Sequence, residues 1–233
     1  MKIVSIHQPQ YIPWLPYFMK VEESQTFVIL DSVDFQKNGL QNRNQIKTAN
    51  GPAWLTVPVY HKLGQKIVDV KINNKIDWRK KHCATLLQNY SRADEFANYL
   101  NAVKDVYAKE WLYLSELNIH LMKLMLKWLG IESQIFQSSA MNVKGSGSEL
   151  ILNICLELGA NQYLSGIGGN NYLDENSFRE AGVEVIYRPP ELPVLYKQQH
   201  QKIGFLNDLS AIDIIFNCGD RWRDYIKKEA IDV

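Results

Sequence analysis

The chain is poor in anything that would cross-link it or carry it into a membrane. Its 233 residues include only three cysteines, Cys83, Cys155 and Cys218. That odd number, without C-x-x-C spacing, excludes a disulfide framework and a zinc knuckle. His61, His82, His120 and His200 are too scattered to suggest a metal site. No apolar run reaches the ~18 residues that a membrane helix needs, and MKIVSIHQPQ turns polar too soon for a signal peptide. A cytoplasmic, reduced protein with no integral membrane segment is expected. Charge is equally uninformative as an address: Lys plus Arg number 26 against 25 for Asp plus Glu, so no nucleic acid or anionic membrane is expected as partner. Internal repeats and low-complexity linkers are also missing. A hydrophobic fraction of 46% with 22% charged residues fits a globular protein, and one domain over residues 1–233 is the expectation.

What is present is unevenly distributed. SIHQPQYIPWLPYF, Ser5 to Phe18, packs a histidine, two glutamines, three prolines, a tryptophan and two tyrosines behind a short apolar start. Lys2 to Ile6 reads as a strand. Thr26 to Leu30 reads as another, continuously apolar as in strands covered on both faces. Between them Pro13 and Pro16 suit the first turn of a short helix, with Trp14, Leu15, Phe18 and Val21 as its apolar side. From Phe35 to Asn73 the texture becomes β-rich, with TVPVY and KIVDVKI as strand-like runs. Asn38-Gly39 and Asn50-Gly51 are hairpin dipeptides there, which predicts an antiparallel β-hairpin insertion over 35–73. Residues 77–130 read as helical, ending at Gly130 after an apolar face that includes Trp111, Leu117, Leu121 and Trp128. Lys123 and Lys127 flank that face as solvated residues of a core helix. Strand-helix alternation then resumes: Gln134 to Ser138, Gln162 to Leu164 and Val183 to Tyr187 as strands, Glu149 to Leu158 and Glu175 to Ala181 as helices. The fold class is α/β, a largely parallel sheet with helices on both faces.

Ligands of open α/β sheets bind beyond the carboxyl ends of the strands. His7, Gln8 and Gln10 follow the first strand, Asp31 and Asp34 the second, and Ser165, Gly166, Gly168 and Gly169 a later one, so parallel strands would open these loops on one edge. His7 is then either a proton acceptor whose tautomer Asp31 holds, or a residue that merely ties the loop to backbone carbonyls. In KGSGSE, Ser146 and Glu149 have capping-box spacing, and an ordinary cap is favoured over a phosphate cradle because the G-K-[ST] ending is missing. SGIGGNN departs from a dinucleotide fingerprint and reads as a flexible ligand loop that includes Tyr172. FQKNGLQNRNQIKT crowds amides and cations around a tight turn. There Lys37 and Arg43 suit anions, while Gln36, Asn42 and their neighbours suit hydroxyls. Cys155 reads as core. No motif specifies a cofactor.

HQPQYIPWLPYF, FVILDSVDFQKNGLQNRNQIKT, WLTVPV, LGANQYLSGIGGNNYLD and LSAIDIIFNCG together resemble the successive motifs of the WbqC-like family, over nearly the whole chain. The resemblance implies a part in bacterial O-antigen or other surface-polysaccharide biosynthesis. Pro16 stands where a glycine is common, Leu40 where an aromatic is common and Leu150 where an arginine is common, and the last weakens any anion role for the KGSGSE helix start.

Three function classes follow. The first is a transferase acting on a nucleotide-activated amino sugar, most simply by moving an acyl or aminoacyl group from an unspecified donor to the sugar amine. In that scheme His7 accepts the proton and Asp31 orients it. Lys37, Asn42 and Arg43 hold diphosphate or hydroxyls, and Tyr11 and Trp14 stack on base or sugar. The second is a nucleotidylyltransferase-like enzyme, although His7-Gln8-Pro9-Gln10 lacks the glycine and second histidine of H-x-G-H. The third is a non-catalytic glycan-binding or scaffold protein.

Overall fold

The computed structural model describes residues 1–226. Its centre is a five-stranded, wholly parallel sheet built from β1 (Ile3–His7), β2 (Thr26–Ile29), β7 (Gln134–Gln137), β8 (Gln162–Gly166) and β9 (Glu184–Arg188), in the spatial order β7-β2-β1-β8-β9. The chain therefore steps outward from β1 through β2 to β7, then returns to the other side of β1 for β8 and β9. Between β1 and β8 the winding reverses, and successive connections leave opposite faces there. The predicted pairing of the first strand with the segment at Gln162 is observed, with Ile3 opposite Gln162 and Ser5 opposite Leu164.

Alternation along the central strands divides the core in two. Val4, Ile6, Val28 and Leu30 pack with Leu150, Ile154 and Cys155 of α5 (Gly147–Glu157) and with Phe178 of α6 (Glu175–Glu180). Phe27 and Ile29 point the other way, into a larger core with α1 (Leu15–Glu22) and α7 (Ile212–Cys218). That second face is thickened by the helical middle: α2 (Trp78–Tyr90), α3 (Phe96–Ala108) and α4 (Leu114–Leu129). Gly130 ends α4 in the left-handed region at φ 63°, where a side chain would clash with the backbone.

The insertion differs from its sequence pattern in two places. Asn50-Gly51 does turn a hairpin, β3 (Arg43–Thr48) against β4 (Gly51–Thr56), with Gly51 at φ 99°. Asn38-Gly39 turns none, and Asn38 rather than Gly39 takes the positive φ, at 67°. Residues 35–42 form a loop whose polar groups are met without a strand ladder, the Leu40 carbonyl by Tyr11 N–H and Gln36 N–H by Gln41 Oε1. KIVDVKI is likewise broken. Its Ile67–Asp69 stretch is a 3-10 turn docked on the loop after β2 through Ile67 N–H to Val33 O and Val68 N–H to Asp31 O, leaving only β6 (Lys71–Ile72) to pair with β5 (Val59–Tyr60).

Candidate functional site

His7 closes β1, and it stands at the reversal of the winding. Its Nδ1 lies 3.0 Å from the Gln8 carbonyl. A carbonyl can only accept, so Nδ1 carries the proton and Nε2 keeps a lone pair. Tyr17, in the first turn of α1, packs its ring edge-on against the imidazole at 5.0 Å. One helical turn later Lys20 brings Nζ under the same strand end, donating to the Ile6 carbonyl at 2.9 Å and lying 6.0 Å from the Tyr163 ring centre. Burial, and after it the Lys20 charge, lower His7 from 6.5 to about 4. Burial also lowers Lys20 from 10.5 to about 8. At neutral pH the pair is thus a neutral imidazole beside an ammonium.

Two cavities meet at this pair, both lined by His7, Lys20, Ser165 and Gly166. One, of about 130 Å³, is walled by Trp14, Tyr17, Met19, Pro189 and Pro190, with Arg188 and Glu23 at its rim in a 2.9 Å ion pair. The other, of about 280 Å³, lies towards α5 between Gln8, Tyr163, Gly168 and Tyr172. A third hollow of about 440 Å³ continues it past Ser32, Asp34, Gln36 and Lys66 to Ser146 and Gly147. Ser146 opens α5 without a side-chain cap bond. The SGIGGNN segment is a 3-10 turn, Ile167–Asn171, rather than an open loop. A larger hollow of about 670 Å³ sits at the opposite, amino edge of the sheet around Met1, Asn161 and Glu184, away from the strand ends where α/β ligands bind.

Of the residues expected at the site, His7, Gln8, Trp14, Ser165, Gly166 and Tyr172 line these cavities, with Asp34 and Gln36 at the outer end. Others are placed differently. Asp31 is fully buried and does not hold His7: its carboxylate accepts from Ser138 Oγ at 3.0 Å, Ser139 N–H at 2.9 Å and Ser139 Oγ at 2.8 Å. These bonds tie the end of β2 to the end of β7, and the Gln8 carbonyl takes the tautomer-setting place instead. Tyr11 is buried with its hydroxyl between His82 Nδ1 and Tyr107 Oη, at 2.8 and 2.6 Å, so no face is left for stacking. Gln10 is 7% exposed. Asn42 donates to the Val57 carbonyl, and Arg43 lies over the Trp54 ring and donates to the Asn38 carbonyl. Lys37 is exposed on the loop.

Amides of the insertion, themselves held by one from α4, prove to be braces for the opening loop. Asn44 Nδ2 donates to the Ile12 carbonyl at 2.9 Å, Gln41 Nε2 to Gln8 Oε1 at 2.8 Å, and Asn118 Nδ2 to the Gln41 carbonyl at 2.7 Å. They hold an unusual backbone: Ile12, fully buried, sits at φ 38°, a region costly for a β-branched residue and kept only where surroundings over-determine it. Lys20, Tyr17, Tyr163 and Arg188 are the site residues that the sequence pattern did not single out. The available signal was the three-residue spacing of Tyr17 and Lys20, which puts both on one face of a helix following His7.

Fold and crevice together define a doubly wound α/β protein with two cavities meeting at the switch point of its sheet. The chain belongs to the WbqC-like protein family, whose model matches residues 8–225. A relative in Mycobacterium tuberculosis, the uncharacterized protein Rv1507c, is 34% identical over 230 residues, covering 97% of this chain and 98% of its own. No solved structure matches the chain.

Proposed function

We propose that this protein is a transferase that moves an acyl or aminoacyl group to the amine of a nucleotide-linked amino sugar, in the cytoplasm, during surface-polysaccharide assembly. The observation that carries the reading is the state of His7. Its Nδ1 is spent on the Gln8 carbonyl, its ring is neutral, and Nε2 meets no bonding partner among the described residues. It stands where two cavities join, one of them walled mainly by aromatic and aliphatic groups. In the reaction the sugar amine attacks the acyl carbon of an activated donor, forming the N–C bond as the bond to the donor's leaving group breaks. The amine proton passes to Nε2. Holding both partners at one point supplies the entropic part of the rate.

A nucleotidylyltransferase-like reading is less well supported, because Gln10, at the place of the second histidine of H-x-G-H, is buried away from both cavities. The test is a panel of nucleotide-linked amino sugars, scored by thermal shift and then turned over with acyl donors. With a working pair, His7→Gln keeps fold and sugar affinity and lowers the single-turnover rate by ~10²–10⁴. A folded His7→Gln protein at full rate overturns the assignment.

A further inference from the structure

Lys20 carries a charge without an answer. Its ammonium is half-buried at the junction of the two cavities and spends one N–H on the Ile6 carbonyl. Among the described residues it makes no ion pair. Its neighbours are neutral or already engaged: His7 on β1, Tyr17 on its own helix, Tyr163 on β8 and Cys155 on α5, with Glu23 committed to Arg188. A cation drawn out of water without a counter-ion is unfavourable, and folds normally supply a carboxylate. Here the remaining N–H bonds have only the cavities to meet.

We propose that Lys20 is the anion seat of the crevice, binding a phosphate or carboxylate oxygen of the ligand at the junction of the two cavities, between His7 and Tyr163. The inference rests on the crevice being the ligand site of the proposed transferase. It also assigns the ligand a feature that the transferase reading leaves open, an oxyanion next to the reacting centre. Lysine suits this as a compact point charge that can meet either kind of oxyanion.

Occupation has a consequence for His7. The Lys20 charge is the second cause of its lowered basicity, so an anion on Lys20 removes part of that repulsion and moves His7 up towards its ordinary value. The same anion raises Lys20, and binding weakens as pH climbs past about 8. Ligand binding would then itself strengthen the base.

Inorganic phosphate and acetate are titrated separately into the full-length protein, watching the lysine Cε and histidine Cε1 signals by NMR. Phosphate is expected to give a saturable shift at Lys20, an upward move of the Lys20 and His7 titrations, and amide shifts at Ser165 and Gly166. Acetate doing so more tightly than phosphate assigns the seat to a carboxylate, and the reverse order to a phosphate. Lys20→Met should weaken binding by about 10- to 100-fold, the range for one charge-assisted hydrogen bond, whereas Lys20→Arg keeps it within a few fold. No saturable response at Lys20 with either ion, or unchanged affinity in a folded Lys20→Met protein, overturns the seat. Because no group is transferred in this assay, a bound anion with an inactive protein counts against the transferase alone.

Discussion

Lowering the pH should destabilise this protein through two histidines that the native state protonates less readily than the unfolded chain does. His7 and His82 both fall from 6.5 to about 4, each chiefly through burial. His82 is 3% exposed, with Nδ1 held by Tyr11. Above 6.5 both folded and unfolded chains carry neutral rings, and the histidines add no pH dependence. Between 6.5 and 4 the unfolded chain takes up protons that the folded chain does not, so stability falls with pH; below the lower value both states are protonated and the fall stops. At ~1.4 kcal/mol per pKa unit each ring accounts for a loss on the order of 3 kcal/mol, a large share of the ~5–15 kcal/mol that a domain commands. Urea unfolding at steps from about pH 7 to about pH 4 measures it, with His7→Gln and His82→Gln as the comparison. Each variant should remove one ring's part of the slope, while groups such as Asp213, which burial raises in the opposite sense, cancel in the difference. Variant and wild-type curves that run parallel across this interval would refute both the burial and the neutral state assigned to His7.

The remaining predictions concern the frame of the crevice. Gly169→Ala should displace Ser165, since an added Cβ would collide with Ser165 Oγ and lie 3.0 Å from Leu173 Cδ1; weaker anion binding with a shifted Ser165 amide signal checks this. Asn44→Ala strands the Ile12 carbonyl and the Gln45 N–H inside the protein, and should cost about 1–3 kcal/mol. In a chain of this size that is a drop of roughly 2–4 °C in Tm per kcal/mol, and an unchanged Tm would show that the loop holds itself.

Much of the fold was legible because its signals are local. The continuous TFVI run announced a strand covered on both faces, all four residues being buried, and Gly130 announced the end of α4. The candidate site was legible where position along a strand decides placement, as for His7 and Ser165, which both line the cavities. It was illegible where function depends on which acceptor lies nearby. Asn42, Asn44 and Gln41 look in sequence like donors waiting for a ligand, yet the acceptors they meet are Val57, Ile12 and Gln8. Asp31 looks like a partner for His7 because both lie at strand ends, but β2 has β1 on one side and β7 on the other, and the Asp31 carboxylate is taken by the serines after β7. Lys20 reads as one more solvated lysine on a helix. Only the reversal of the sheet at β1 buries it.

The two walls of the crevice are separated by about 160 residues of chain, since His7 and Lys20 come from its start and Ser165 and Arg188 from near its end. During synthesis at ~5–20 residues per second, β1 leaves the ribosome roughly 10–30 s before β8 can pair with it. For that interval β1 has β2 on one side and an open edge on the other. The nascent protein therefore carries an unpaired strand edge beside the future crevice, which cannot assemble before β8 has been made.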